Sequence, residues 1–338
     1  MVEKRVSDGT LPISIALSDN PRTRPIIEGR VTPQGMRLAT TVVHPSEMFW
    51  RQLKFGEFDV SEMSLSSLTI ATSMGPTPWV AIPVFTSRLF FHSGILARTD
   101  RGIEKPADLK GKRVGIPEYQ QTAALWIRGV LEREFGVHAR DMEWFMERNP
   151  NMSHGGATGF QAPEGVKLNY IPPSTNIGEM LREGTLDAAL LYLRERNLVD
   201  RSKTDLATLA TVKTLFPDPE AEKRRYFLKT GIYPINHCVV LRRSLFEKNP
   251  WMALNLYTMF KEAKESAYAA ARVILQPHLE SGLLDAAGGK ALAKDPLAYG
   301  IKDPREVLDM IVQMVHEQGL AKRRVALDEL FAPSTLDL

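Results

Sequence analysis

The stretch that most restricts the fold of this chain is KPADLKGKRVGIPEYQQTAALWIRGVLEREFG, residues 105–136. A short helical turn feeds an apolar run that stops at Pro117-Glu118-Tyr119. Gln120-Gln121-Thr122 then opens a long amphipathic helix, and Gly136 supplies its stop. A further step follows: a strand over Leu168–Ile171, a helix over Ile177–Glu183 ended by Gly184, and a strand over Asp187–Tyr192. Strands alternating with helices call for parallel pairing, because the crossover helix carries the chain back to the starting edge.

Upstream, Ile13–Leu17 reads as a buried strand stopped by Ser18-Asp19-Asn20-Pro21. Met36–Val43 runs to His44-Pro45, after which Ser46 serves as a helix cap with Glu47 in the first turn. A strand over 58–63 precedes a helix start at Ser64–Leu68. Ala81–Phe85 and Gly94–Arg98 are strands flanking the polar group Thr86-Ser87-Arg88, with Phe91-His92-Ser93 close behind. Residues 150–163, with three Gly and two Pro, read as a surface loop. Ile235–Leu241 is a strand, Pro250–Ala271 a long helix and 304–320 a terminal helix.

Several function classes drop out. The net charge of +3 is spread along 338 residues, and the basic runs at 223–225 and 322–324 are short and have acidic neighbours. No nucleic-acid stripe results. No apolar run has membrane-helix length. The apolar stretch Leu11–Leu17 is too short for a secretory signal, so with Met1 as natural start a cytoplasmic location is expected. The single cysteine, Cys238, sits in an apolar run and reads as a small buried hydrophobe. The seven histidines show no helical i,i+4 pair, HxH or HExxH. A metal site would have to be assembled from His44, His92 and His237 with Glu47 or Glu62. Serine-hydrolase, P-loop and dinucleotide fingerprints are absent.

The run over 108–137 resembles the lobe crossover of type II periplasmic binding proteins. The segments SDNPRTRPIIEGRVTPQGM (18–36), FDVSEMSLSSL (58–68), IPVFTSRLFFHSGI (82–95), the run over 230–264 and HEQGLAKRRVALDELFAP (316–333), in that order, resemble the 4,5-dihydroxyphthalate decarboxylase family, a cytoplasmic enzyme branch of that fold. The likeness spans nearly the whole chain and is weakest over 146–165 and 193–213. It implies an α/β, two-lobed type II periplasmic-binding-protein-like fold with a ligand cleft between the lobes. One lobe is expected from 1–112 and 236–338, the other from 113–235. It implies a carboxy-lyase that takes 4,5-dihydroxyphthalate to protocatechuate and CO2, an aromatic dicarboxylate as small-molecule partner, and no organic cofactor. Two alternatives stay open: a solute-binding protein for an aromatic acid in an uptake system, and another cytoplasmic enzyme on the same scaffold. Trp251 and Tyr257 suit either core packing or a homo-oligomer interface.

In such a fold the strand-end residues converge on one cleft. That group comprises Ser18, Asp19, Ser61, Glu62, Ser64, Arg88, His92, Ser93, Glu118, Gln121, Thr122, Tyr233 and His237. A dicarboxylate needs fixed positive charge, for which Arg88 is the first candidate and Arg24 and Arg128 the second. The N–H groups opening the helix at Gln120-Gln121-Thr122 offer an anion site. Ring decarboxylation without a cofactor needs an acid and a base. His92 and His237 are the first candidates, and Glu62 and Glu118 are the carboxyl alternatives.

Overall fold

The computed structural model describes residues 9–292 and 294–338; residues 1–8, where the leader expectation begins, lie outside them. Eleven strands among the described residues form two mixed sheets. They are β1 (Leu11–Leu17), β2 (Met36–Val42), β3 (Val60–Ser64), β4 (Trp79–Arg88), β5 (Leu96–Arg98), β6 (Arg113–Ile116), β7 (Glu143–Met146), β8 (Lys167–Tyr170), β9 (Ala188–Ala189), β10 (Val212–Thr214) and β11 (Ile235–Arg242). The first sheet has the order β2-β1-β3-β11-β4 and the second β10-β5-β9-β6-β7-β8. The expected alternation is present as parallel pairs: β1 with β2 and β3, and β6 with β7 and β9.

Two placements differ from the sequence reading. β5 belongs to the second sheet, paired antiparallel with β9 and β10, so the chain leaves the first sheet between Arg88 and Leu96, ahead of the crossing expected near 112. It returns between Thr214 and Ile235, where β11 inserts antiparallel between β3 and β4. Arg88 and its polar neighbours therefore finish β4 rather than bridging two strands.

A continuous apolar cluster runs from β1, β3, β4 and β11 through the helix Thr122–Phe135 to Trp144 on β7. A smaller one, with Ile177, Leu181 and Leu186, backs the second sheet. Trp126, fully buried, donates its indole N–H to the Ile235 carbonyl at 2.8 Å and ties the two halves together. The helix Thr122–Phe135 ends where Gly136 takes φ +65 and returns its N–H to Glu132, a conformation a side chain disfavours.

Local chemistry also corrects two caps. The helix Pro45–Phe55 is capped by His44, whose Nδ1 accepts from the Ser46 N–H at 3.3 Å; Ser46 is inside the first turn. Residues 150–163 are not a surface loop throughout. Ser153 caps a short helix, His154–Thr158, and Ser153, His154, Gly155 and Thr158 are buried. Cys238 is buried in β11, and burial pushes its thiol pKa up, as an inert core residue requires. The long C-terminal helix spans Met252–Glu280; Trp251 before it is partly exposed and Tyr257 half-buried. No helix among the described residues is long and apolar enough to cross a membrane.

Candidate active site

β3, β11 and β4 lie side by side, so residues two apart on one strand and their diagonal neighbours on the next share a face. His237 pairs with Ser64, and Glu62 lies two residues back on the same face of β3. Glu62 is fully buried and accepts from Ser18 N (2.7 Å), Ser18 Oγ (2.6 Å) and Thr86 Oγ1 (2.6 Å), with His237 Nδ1 at 3.4 Å. Burial alone would raise its pKa. The contacts with His237, Ser18 and Thr86 outweigh it and hold the carboxyl below the usual carboxylate range. An ionised Glu62 favours a proton on His237 Nδ1, and His237 Nε2 has no protein partner among the described residues.

Above this pair lies a cavity of about 460 Å³ between the two sheets. Of the residues expected at the site, Ser18, Asp19, Ser64, Arg88, Gln121, Thr122 and His237 line it. Contacts that close the halves around it include Ser64 Oγ to Thr122 Oγ1 (2.9 Å), Ser66 N to Thr122 Oγ1 (3.0 Å), Ser66 Oγ to Gln120 O (2.7 Å), Ser67 Oγ to His154 Nδ1 (3.2 Å) and His44 Nε2 to Glu195 (3.0 Å). The Thr122 hydroxyl is thus spent on the lobe contact. Gln121 caps its helix without a side-chain bond, leaving first-turn N–H groups beside the cavity for an anion.

The cations divide differently from expectation. Arg24 is turned to solvent and forms a two-bond pair with Asp19 at 3.0 and 2.9 Å. Arg22, two residues earlier and not singled out by the sequence, lines the cavity instead. Its Nη2 donates to the Thr86 carbonyl, its buried Nη1 has no partner, and it forms no ion pair among the described residues. Arg88 also lacks a carboxylate partner, but its Nε and Nη2 both reach the Tyr233 carbonyl (3.3 and 2.9 Å). Its fork is therefore occupied, and it contributes charge rather than a free bidentate grip. Burial pulls Arg88 down to about 10, which leaves it protonated at neutral pH.

Other expected residues stand elsewhere. His92 is buried against Tyr226 and Phe216, with Nε2 3.2 Å from Glu222, and burial pushes it down to about 4. It does not line the cavity. Ser93 bonds the Phe90 carbonyl, and Tyr233 stacks on Phe90 at 4.6 Å along a separate groove. Ser61 is buried with its hydroxyl unpartnered. Arg128 lies beneath the second sheet, over the Tyr119 ring at 3.9 Å and bonded to the Tyr119 carbonyl. Glu118 sits behind the wall, bonded to Gly155 N (2.9 Å), Gln120 and Arg148 (2.8 Å).

That last contact reveals a wall the sequence did not mark. Arg148 lines the cavity, buried between Glu118 and Asp200, which it meets at 2.8 and 2.7 Å. Those two carboxylates outweigh its burial and drive its pKa up. Phe49 and His154 complete the wall. Nothing in the spacing around Arg148 and His154 pointed to function, because their partners come from distant segments. No three His, Cys, Asp or Glu side chains converge as metal ligands among the described residues, and His92 stands apart from His44 and His237.

Among solved structures, the chain is similar to the periplasmic aliphatic sulphonate binding protein SsuA of Escherichia coli, with a TM-score of 0.53 and 14% identity over 97% of this chain and 99% of that one. It is similar also to the desulfurization enzyme DSZB, with a TM-score of 0.50 and 15% identity over 96% and 98%. Fold and site thus define a two-lobed α/β protein with the periplasmic-binding-protein fold and a cavity between its lobes. Residues 82–155 match the family model described as NMT1/THI5 like. A 4,5-dihydroxyphthalate decarboxylase of Comamonas testosteroni is 34% identical over 332 residues, covering 97% of this chain and 98% of that protein. One of Pseudomonas putida is 37% identical over 190 residues, 56% of this chain and 74% of its own. The chain belongs to the 4,5-dihydroxyphthalate decarboxylase family, a carboxy-lyase family.

Proposed function

We propose that the chain converts 4,5-dihydroxyphthalate to protocatechuate and CO2 by acid–base catalysis in the interlobe cavity. The observation that carries this reading is the pairing of two features on one wall. Arg22 and Arg88 face the cavity with no carboxylate partner among the described residues, and the Glu62–His237 pair lies beside them through Thr86. Uncompensated guanidinium groups in a part-buried cavity suit an anion. With the open helix N-terminus at Thr122, they suit a molecule carrying two adjacent carboxylates.

In such a substrate each carboxylate is para to a hydroxyl. When that hydroxyl loses its proton, the ring carbon bearing the carboxylate gains electron density. A proton delivered there makes a transient dienone, and the bond to the carboxylate breaks as its electron pair returns to the ring. The ring itself is the electron sink, so the chemistry requires no organic cofactor. His237, with Nδ1 held by Glu62, is the acid in this reading. Closure of the halves keeps water out and strengthens the charge contacts.

Incubating the pure protein with 4,5-dihydroxyphthalate and following CO2 and protocatechuate tests the proposal. Product formation supports it. Tight binding without turnover favours a solute-binding protein for an aromatic acid, and neither result favours another enzyme on this scaffold.

A further inference from the structure

The turn that follows β1, residues 18–23, is held by its own bonds. The hydroxyl of Thr23, a fully buried residue, accepts from the Asn20 N–H at 3.1 Å and donates to the Ser18 carbonyl at 2.6 Å. The Asn20 carbonyl receives the N–H groups of Thr23 and Arg24 at 3.0 and 2.9 Å. Ser18 is bonded in turn to Glu62, the partner of His237. Ser18, Asn20 and Arg22 all line the cavity.

The side chain of Asn20 is half used. Its Oδ1 accepts from the Arg22 N–H at 3.0 Å. That bond decides which way round the amide lies, because only the oxygen can accept. Nδ2 is therefore the outer end, directed away from the backbone of the turn. It has no partner among the described residues and, unlike Nη1 of Arg22, it keeps accessible surface. An NH2 group offers two donors and no acceptor, so the group that completes it must accept. The adjacent Asp19 is compensated on the solvent side by its two bonds with Arg24, at 3.0 and 2.9 Å. Arg22 has no carboxylate partner among the described residues. An acceptor arriving at Asn20 thus meets a surplus of positive charge, which suits a carboxylate better than a neutral hydroxyl.

We propose that Asn20 is a substrate-binding residue whose Nδ2 donates to a carboxylate of the aromatic substrate, alongside Arg22. The inference rests on the decarboxylase reading, and it adds to that reading a residue that selects the acid groups of the ring over its hydroxyls.

The test compares Asn20→Asp with the wild type in the full chain. Asp keeps an oxygen for the Arg22 N–H, so the turn is retained and only the donor is lost. A residue that served the turn alone would therefore bind ligand as before. The probes are phthalate, which has both carboxylates and no ring hydroxyl, and catechol, which has the hydroxyls and no carboxylate. In calorimetric titrations Asn20→Asp should weaken phthalate roughly ten- to a hundredfold, the range for a hydrogen bond to a charged group, and leave catechol within about twofold. The loss should persist in about 1 M salt, where the screening length is about 3 Å and through-space repulsion fades. In the wild type labelled with ¹⁵N-asparagine, the side-chain amide resonance that Asn20→Asp lacks should move when phthalate binds, a readout independent of how the variant folds. No phthalate binding by the wild type, unchanged affinity in the variant, a loss that salt abolishes, a larger loss for catechol, or an unmoved resonance overturns the role of Asn20. If the wild type meanwhile turns over 4,5-dihydroxyphthalate, the decarboxylase reading stands without Asn20. A wild type that binds phthalate through Asn20 and shows no turnover loses the decarboxylase reading alone.

Discussion

Nδ1 of His237 lies 3.4 Å from Oε2 of Glu62, a contact between strands whose residues are 175 positions apart. Around it, Ser18 and Thr86 saturate the remaining lone pairs of the carboxylate, so Glu62 is held ionised in a site with no water-facing surface.

His237→Gln should lower kcat by about 10²–10⁴-fold, the usual worth of a positioned acid. Glu62→Gln should cost less, because the imidazole stays in place while losing its orienting charge. Steady-state assays with a product-binding control check this, and a Glu62→Gln enzyme with unchanged kcat would remove the pair from the mechanism.

Arg22 and Arg24 make a matched comparison. Arg22→Gln removes a cavity cation that has no ion-pair partner among the described residues and should weaken binding of protocatechuate by roughly ten- to a hundredfold, the range for a hydrogen bond to a charged group. Arg24→Gln removes an exposed pair with Asp19 and should leave affinity within about twofold. Calorimetric titration distinguishes them, and equal losses would contradict the assignment.

Stability should fall as pH drops from about 6.5 to 4. Burial holds His92 and His154 at about 4 in the folded chain against an ordinary value of 6.5. Below 6.5 the unfolded chain therefore binds protons that the folded chain refuses. Their contribution is complete above 6.5 and is lost as pH falls through the folded value, at up to ~1.4 kcal/mol per pH unit for each group. His92→Leu should flatten that slope with kcat unchanged, as measured by urea unfolding across pH and by turnover. A steeper slope, or lost activity, would be the contrary result.

Arg148→Met should destabilise the fold by about 3–5 kcal/mol, since it strands Glu118 and Asp200 as buried charges. Removing Arg133, whose pair with Glu317 is exposed, should cost under ~1 kcal/mol. Parallel denaturant titrations provide the comparison.

The helix Ile177–Glu183 with its Gly184 stop and the long helix closed by Gly136 were legible because each is written in neighbouring residues: apolar spacing, a cap and a glycine. The 150–163 segment misled for the same reason. Two of its three glycines serve close packing: a Cβ at Gly155 would meet the Gln120 side chain at 2.5 Å, and one at Gly156 would run into the Pro150 carbonyl, while Gly159 ends the short helix at φ +63. Arg22 and Arg24 are chemically alike in sequence. Asp19 draws one outward and the Thr86 carbonyl draws the other inward, and local pattern carries neither fact. His92 looked as promising as His237, yet it turns towards Tyr226 and Glu222.

The amino-acid order by itself determined the alternation of strands and helices, the stops between them and the family likeness, because those depend on interactions a few residues long. Which polar strand-end residues share the cavity was decided only in three dimensions. Glu62 with His237, Arg148 with Asp200 and Ser67 with His154 are joined across 52 to 175 positions, and burial then sets the charge of each. Side-chain direction and desolvation belong to the packed molecule, and no stretch of sequence contains them.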